Sequence, residues 1–198
     1  MHNDCTEDMI NAAMDAINEA KALCIDDPKV LSNLGTDVAS FIGKYKITDP
    51  NKISEIAQSA AESINTKVYK GVEIVGNPTK PPLGEFDTVD IPGKRFIEDK
   101  SALGLSNPLN QLTPEDWATK QIVNKTRVRI NSLPDTLTVR PSQFSNGVVP
   151  EFNEFKDFKD FVFKIDADTP DLRNAVSNAI NTLKAEFPDY NFSSIFGQ

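Results

Sequence analysis

The stretch from Asn77 to Thr113, NPTKPPLGEFDTVDIPGKRFIEDKSALGLSNPLNQLT, constrains this chain most, because prolines and glycines punctuate all of it. Pro78, Pro81, Pro82, Pro92 and Pro108, with Pro114 just beyond, interrupt any helical ladder, and Gly84, Gly93 and Gly104 divide the apolar runs between them. Fully extended, such a segment reaches roughly 120 Å, against a diameter of roughly 40 Å for a compact domain built from the rest. Structureless connections of this length are functional or disordered. Val89, Ile91, Phe96, Ile97, Leu103, Leu105 and Leu109 are too apolar to remain in water. The expectation is an extended arm that lays these side chains on a partner.

Charge narrows the partner. The chain carries 21 Lys and Arg against 29 Asp and Glu, a net charge of −8 over 198 residues, which repels phosphate backbones and anionic headgroups. Nucleic acid and membrane are therefore excluded as expected partners, and other protein subunits remain. Residues 71–140 are the least acidic part, with nine bases against nine acids, where 1–70 hold seven against eleven and 141–198 hold five against nine. The one basic cluster, Lys120, Lys125, Arg127, Arg129 and Arg140, suits docking on an acidic patch of another subunit, so Arg127 and Arg129 join the seven apolar residues as expected partner contacts. The opening MHNDCTEDMINAAMD has acids where a secretory signal needs bases, and no run of eighteen apolar residues occurs. These features predict synthesis in the cytoplasm. Cys5 and Cys24 make no disulfide framework and read as small buried hydrophobes.

The flanks are regular. Met9, Ile10, Ala13, Met14, Ile17, Ala20 and Cys24 recur at helical spacing, with Asp4 and Glu7 spaced as a capping box. Asp27-Pro28 and Asp49-Pro50 each place a capping carboxylate before a first-turn proline, and predict helices burying Leu34, Val38, Phe41 and then Ile53, Ile56, Ala60. These three make a bundle over 1–70. Val72, Ile74 and Val75 suit a short strand. Thr113-Pro114-Glu115-Asp116 opens a short helix around Trp117, and the alternation of Ile122, Val128 and Ile130 with Lys125, Arg127 and Arg129 predicts a two-stranded ribbon over 121–140. Nine of twelve phenylalanines fall after residue 143; FNEFKDFKDF predicts a short helix, Phe161-x-Phe163-x-Ile165 a strand, and Thr169-Pro170 a helix striped by Leu172, Val176, Ile180 and Leu183, with a return strand over 190–196. The fold class is α+β: an N-terminal helical bundle (1–70), a long irregular Pro-rich arm with a short helix (71–118), and a small C-terminal α+β unit (119–198).

The strand ending in Asp166-Ala-Asp168-Thr169 resembles the first motif of haloacid-dehalogenase-type phosphatases. That resemblance would make the first aspartate a nucleophile, the second a general acid, and both holders of Mg²⁺. The family needs further lysine and acidic motifs on later strands, and about thirty residues remain, too few for its sheet. The alternative is that Asp168 or Thr169 caps the helix at Pro170. Asp166, Asp168 and Asp171 also fall short of the calcium-loop pattern, whose sixth and twelfth positions hold Asp171 and Ser177 here instead of Gly and Glu. His2 is the single histidine, which removes Ser–His and Cys–His mechanisms. The resulting expectation is a non-enzymatic connector subunit, without cofactor or metal, of a large assembly such as a tailed-phage-like virion, in a homo-oligomeric ring or array. The contrasting class is a small carboxylate-dependent enzyme or metal-binding regulatory domain centred on Asp166, Asp168 and Asp171.

Overall fold

The computed structural model describes residues 4–105 and 112–197, and the side chains from Glu7 onward. The Asp4–Glu7 capping pair, Cys5 and Leu109 therefore lie outside what is described. Three N-terminal helices lead the chain: α1 (Asp4–Ala22), α2 (Pro28–Tyr45) and α3 (Pro50–Thr66). Asp27 caps α2 by accepting from Lys29 N at 2.8 Å, and Asp49 caps α3 by accepting from Asn51 N at 3.0 Å. Each end supplies an acceptor to a helix terminus that lacks one. The buried face of α1 is an alanine stripe, Ala12, Ala16 and Ala20, rather than the larger side chains at its flank. Alanines let α1 approach both α2 and α3 closely, and Ile10 and Met14 are left outside. Cys24 is exposed in the left-handed turn after α1, not buried as its residue type suggests.

The sheet corrects the expected arm. It has six strands in the order β4-β1-β2-β3-β5-β6, with β1 (Val68–Val75), β2 (Gly84–Asp90), β3 (Arg95–Lys100), β4 (Thr138–Pro141), β5 (Asp160–Ile165) and β6 (Asn191–Phe196). β2 and β3, both from the proline-studded stretch, occupy its middle. The prolines do not break these strands because they lie between them: Pro78, Pro81 and Pro82 in the loop before β2, and Pro92 in the turn joining β2 to β3. Asp90 fixes that turn by accepting from Gly93 N at 2.9 Å and Arg95 Nε at 2.7 Å. β1 to β4, β1 to β2 and β2 to β3 are antiparallel, while β3 to β5 and β5 to β6 are parallel. The chain is thus α+β, with helices at its N-terminus and a sheet unit after them. One sheet draws on segments from residue 68 to residue 196.

The expected ribbon is helical. α4 (Pro114–Ala118) runs through a π-helical turn (Thr119–Asn124) into α5 (Lys125–Ser132), and only the stretch at Thr138–Pro141 is a strand. The wider turn inserts one residue, so buried positions fall at Trp117, Ile122, Thr126 and Ile130. The first interval of five disguises a helix whose later intervals are four. α7 (Pro170–Glu186) packs on this helix and beside β6. The phenylalanines are mainly core: Phe86 and Phe96 stack at 4.1 Å between centroids, with Phe155, Phe158 and Phe161 around them. α6 (Phe152–Phe155) contributes the buried Phe155.

A loop after β4 latches the bundle to the sheet. Asn146, buried, donates through Nδ2 to Ser59 O at 2.9 Å and Ser63 Oγ at 2.9 Å, both on α3. The next residue, Gly147, has φ +95° and lies where a Cβ would meet Phe41 Cβ at 2.9 Å, so both conformation and space require glycine there.

Candidate functional site

The most unusual chemistry is a buried ionic cluster between β3 and α5. On β3 the buried positions alternate as Phe96, Glu98 and Lys100, so two opposite charges stand where apolar residues usually do. Glu98 Oε2 accepts from Lys100 Nζ at 2.7 Å and forms an ion pair with Arg129 Nη2 at 2.9 Å. Lys100 Nζ also reaches Asp87 Oδ2 at 2.9 Å, and Arg129 Nε donates to the carbonyl oxygen of Glu85. Burial dominates the acid's titration, pushing Glu98 up to about 7 against the opposing pull of Arg129 and Lys100. Burial, then the nearby Lys100 and Arg129 charges, hold the Lys125 ammonium below its ordinary value.

Three polar atoms here have no hydrogen-bond partner among the described residues: Glu98 Oε1, Thr126 Oγ1 and Arg129 Nη1. Each is sealed from solvent. The cluster therefore concentrates unsatisfied polarity, and a cleft of ≈ 300 Å³ lined by Glu85, Lys125, Val128 and Arg129 opens on its α5 side. The cluster joins sheet to helix, and its chemistry is that of a clamp. A cleft of ≈ 310 Å³ nearby is lined by Lys70, Glu85, Asp87, Asp99 and Phe144. Two of its acids are engaged: Glu85 Oε1 accepts from Ser142 Oγ at 2.6 Å, and Asp87 from Asp99 N at 3.0 Å.

Of the acids at 166–171, Asp166 and Asp168 are also occupied, and Asp171 is exposed in the first turn of α7. Asp166 Oδ1 accepts from Ala102 N at 2.7 Å, tying the loop after β5 to the segment after β3. Asp168 pairs with Arg173 at 2.5 Å, and Arg173 holds its carboxyl below the ordinary range. Thr169, not Asp168, caps α7 by accepting from Leu172 N at 3.3 Å. Among the described residues no group of three or more His, Cys, Asp or Glu is arranged to hold a metal ion.

The residues expected on a partner surface separate. Val89 and Phe96 are fully buried in the chain's own core, and Ile91, Ile97 and Leu105 are half-buried. Leu103 is 75% exposed. Arg127 forms a bidentate pair with Glu186 of α7, Nε to Oε1 at 2.7 Å and Nη2 to Oε2 at 2.8 Å, while Arg129 is buried in the cluster. A further exposed apolar surface lies on the helical bundle. An apolar groove of ≈ 510 Å³ runs between α1 and α2, lined by Met9, Ile10, Ala13, Ile17, Gly35 and Ala39. On that flank of α1, Ile10 and Met14 stand one turn apart and are 55% and 57% exposed. The sequence places both on one helical stripe with Met9, Ala13 and Ile17. The signal that separates them is the alanine repeat at 12, 16 and 20, which offers a closer packing face.

No protein-family model matches the chain, and no curated protein or solved structure matches it either. No helix among the described residues is long and apolar enough to cross a membrane.

Proposed function

We propose that this chain is a non-enzymatic structural subunit that joins neighbouring protein subunits in a larger assembly, for which a tailed-phage-like virion is the architectural analogue. The observation that carries the reading is the groove between α1 and α2 with Ile10 and Met14 in solvent beside it. An apolar groove lined in part by the exposed Ile10, with the exposed Met14 one turn further along α1, is the kind of surface that a partner covers. The charged groups that chemistry would use are committed instead to holding elements together: Glu98 and Lys100 to α5, Asp166 to the backbone at 102, Asp168 to Arg173.

The proposed contact surface is the groove and not an extended arm, since β2 and β3 within residues 84–100 are internal strands. Deleting 82–109 would remove β2 and β3, so the informative variant is on the surface. Ile10→Asp with Met14→Asp is expected to leave far-UV circular dichroism and thermal stability unchanged while abolishing recovery of the chain with its native partners, identified by mass spectrometry after co-purification. Asp166→Ala with Asp168→Ala is expected to preserve that recovery. The reverse pattern, with the groove variant recovered normally and the aspartate variant folded but functionless, would return the enzyme reading.

A further inference from the structure

The sheet ends on β6, and among the described residues no strand pairs with its outer side. Asn191 N donates inward to Lys159 O at 2.9 Å and Gly197 N to Ile165 O at 2.8 Å. In a regular parallel ladder the groups between them alternate, so the N–H and C=O of Phe192, Ser194 and Phe196 point to the open edge. Natural sheets blunt such an edge with charges, proline or a covering element. The strand NFSSIF has neither charge nor proline. Beside it, α7 exposes Asn174, Ser177, Asn178, Asn181 and Thr182, and carries no charge between Arg173 and Lys184. Of the charges near the strand, Asp160 accepts from Asn191 Nδ2 at 2.6 Å, Arg173 pairs with Asp168 and lies over the Phe196 ring at 4.6 Å, and Lys164 stands one strand inward beside Ile195.

We propose that this edge pairs with β6 of a second copy, antiparallel, about a two-fold axis at Ser194. The inference rests on the reading of the chain as an assembly subunit and names one of its partners as itself. Two arguments select a second copy. A chain with net charge −8 repels itself, and a two-fold contact brings identical groups together, so self-pairing suits an edge whose own strand carries no charge. The register is also self-consistent. A two-fold axis perpendicular to the sheet keeps each face on its own side, so core-side residues must meet core-side residues. Centring on Ser194 places Ser194 opposite Ser194 of the partner copy and Phe192 opposite Phe196 of the partner copy. These are the residues whose backbone groups point outward, so each pair exchanges two backbone hydrogen bonds. Ile195, on the solvent face, then meets Ser193 of the partner copy.

The test uses the full chain in sedimentation velocity across a concentration series. Wild type is expected to sediment as a dimer, and Ser194→Pro and Ser194→Lys as monomers with unchanged circular dichroism. Proline removes an N–H that faces only outward, and lysine sets two like charges on the axis. In a background with Cys5→Ser and Cys24→Ser, Ser194→Cys is expected to form an intermolecular disulfide on mild oxidation. Directly opposed residues of such a pair lie about 5.5 Å apart at Cα, inside the disulfide range of about 4.4–6.8 Å. Ser193→Cys, which has no symmetry mate at the axis, is expected not to. A wild type that stays monomeric at every concentration, or a dimer indifferent to Ser194→Lys and uncrosslinked by Ser194→Cys, overturns the proposal. Should Ser194→Pro fail to fold, the lysine and cysteine variants decide. A monomer that still loses its partners on Ile10→Asp with Met14→Asp overturns self-pairing alone, whereas a monomer indifferent to that change removes the assembly reading as well.

Discussion

Phe96→Ala separates a middle segment that belongs to the fold from one that waits for a partner. Phe96 has no exposed surface, stacks on Phe86 at 4.1 Å, and meets Phe161 at 4.8 Å, Phe158 at 5.8 Å and Phe155 at 6.0 Å. Truncating a buried phenylalanine costs about 3–5 kcal/mol, the transfer of the ring plus the void it leaves. Loss of a close aromatic pair adds about 0.5–1.5 kcal/mol, which places this site near the upper end, at about 4 kcal/mol or above. For a chain of this length that is a fall in melting temperature of roughly 8–16 °C. The assay is urea unfolding of the isolated chain followed by far-UV circular dichroism, with Leu137→Ala, at a side chain 75% exposed, as the control expected within about 0.5 kcal/mol of wild type. A loss at Phe96 below about 1 kcal/mol would mean that the ring is not packed in the free chain, and the central placement of β3 would be wrong.

The remaining predictions concern polar groups in the interior. Burial pushes the Glu98 carboxyl up to about 7 from its ordinary 4.5, so between those values the native state holds a proton that the unfolded chain releases. Stability therefore falls as pH rises through that window, by up to about 3 kcal/mol; unfolding free energies measured at several pH values should show this decline in wild type and a flatter profile in Glu98→Gln. Equal slopes would refute burial as the dominant influence on this carboxyl. Asn146→Ala strips the donor that joins the loop after β4 to Ser59 and Ser63, and is expected to cost about 1–3 kcal/mol by leaving buried acceptors unpaired. Hydrogen exchange should then rise in α3 more than in β5, and uniform protection across both would argue against a latch.

What the sequence disclosed followed its local chemistry. Asp27-Pro28, Asp49-Pro50 and Thr169-Pro170 state helix starts outright, because cap and proline act within one turn, and α2, α3 and α7 begin there. β3 was hidden because its buried positions include Glu98 and Lys100, and a hydrophobicity pattern has no means of knowing that two charges satisfy one another and Arg129. The readable trace was spacing: opposite charges two residues apart after Phe96 stand on one side of a strand. The helix at 114–132 was hidden by phase. Arg127-Val128-Arg129-Ile130 alternates as a strand would, yet Val128 is exposed and Arg129 buried. That reversal follows from tertiary pairing with Glu98, which no window of local sequence contains. The groove beside α1 is hidden for a related reason, since burial there is decided by the closeness that alanines permit.

The parallel pairing of β3 with β5 sets an order in time. Arg95 is aligned with Asp160, so some 65 residues must leave the ribosome after β3 before its second neighbour exists, roughly 3–13 s at ordinary synthesis rates. Until then Phe86 and Phe96 lack the rings of Phe155, Phe158 and Phe161 that close over them. The nascent chain therefore carries an unfinished sheet with a greasy flank for seconds, and a holdase that lingers on residues 84–100 is the help such a chain would need during its own birth.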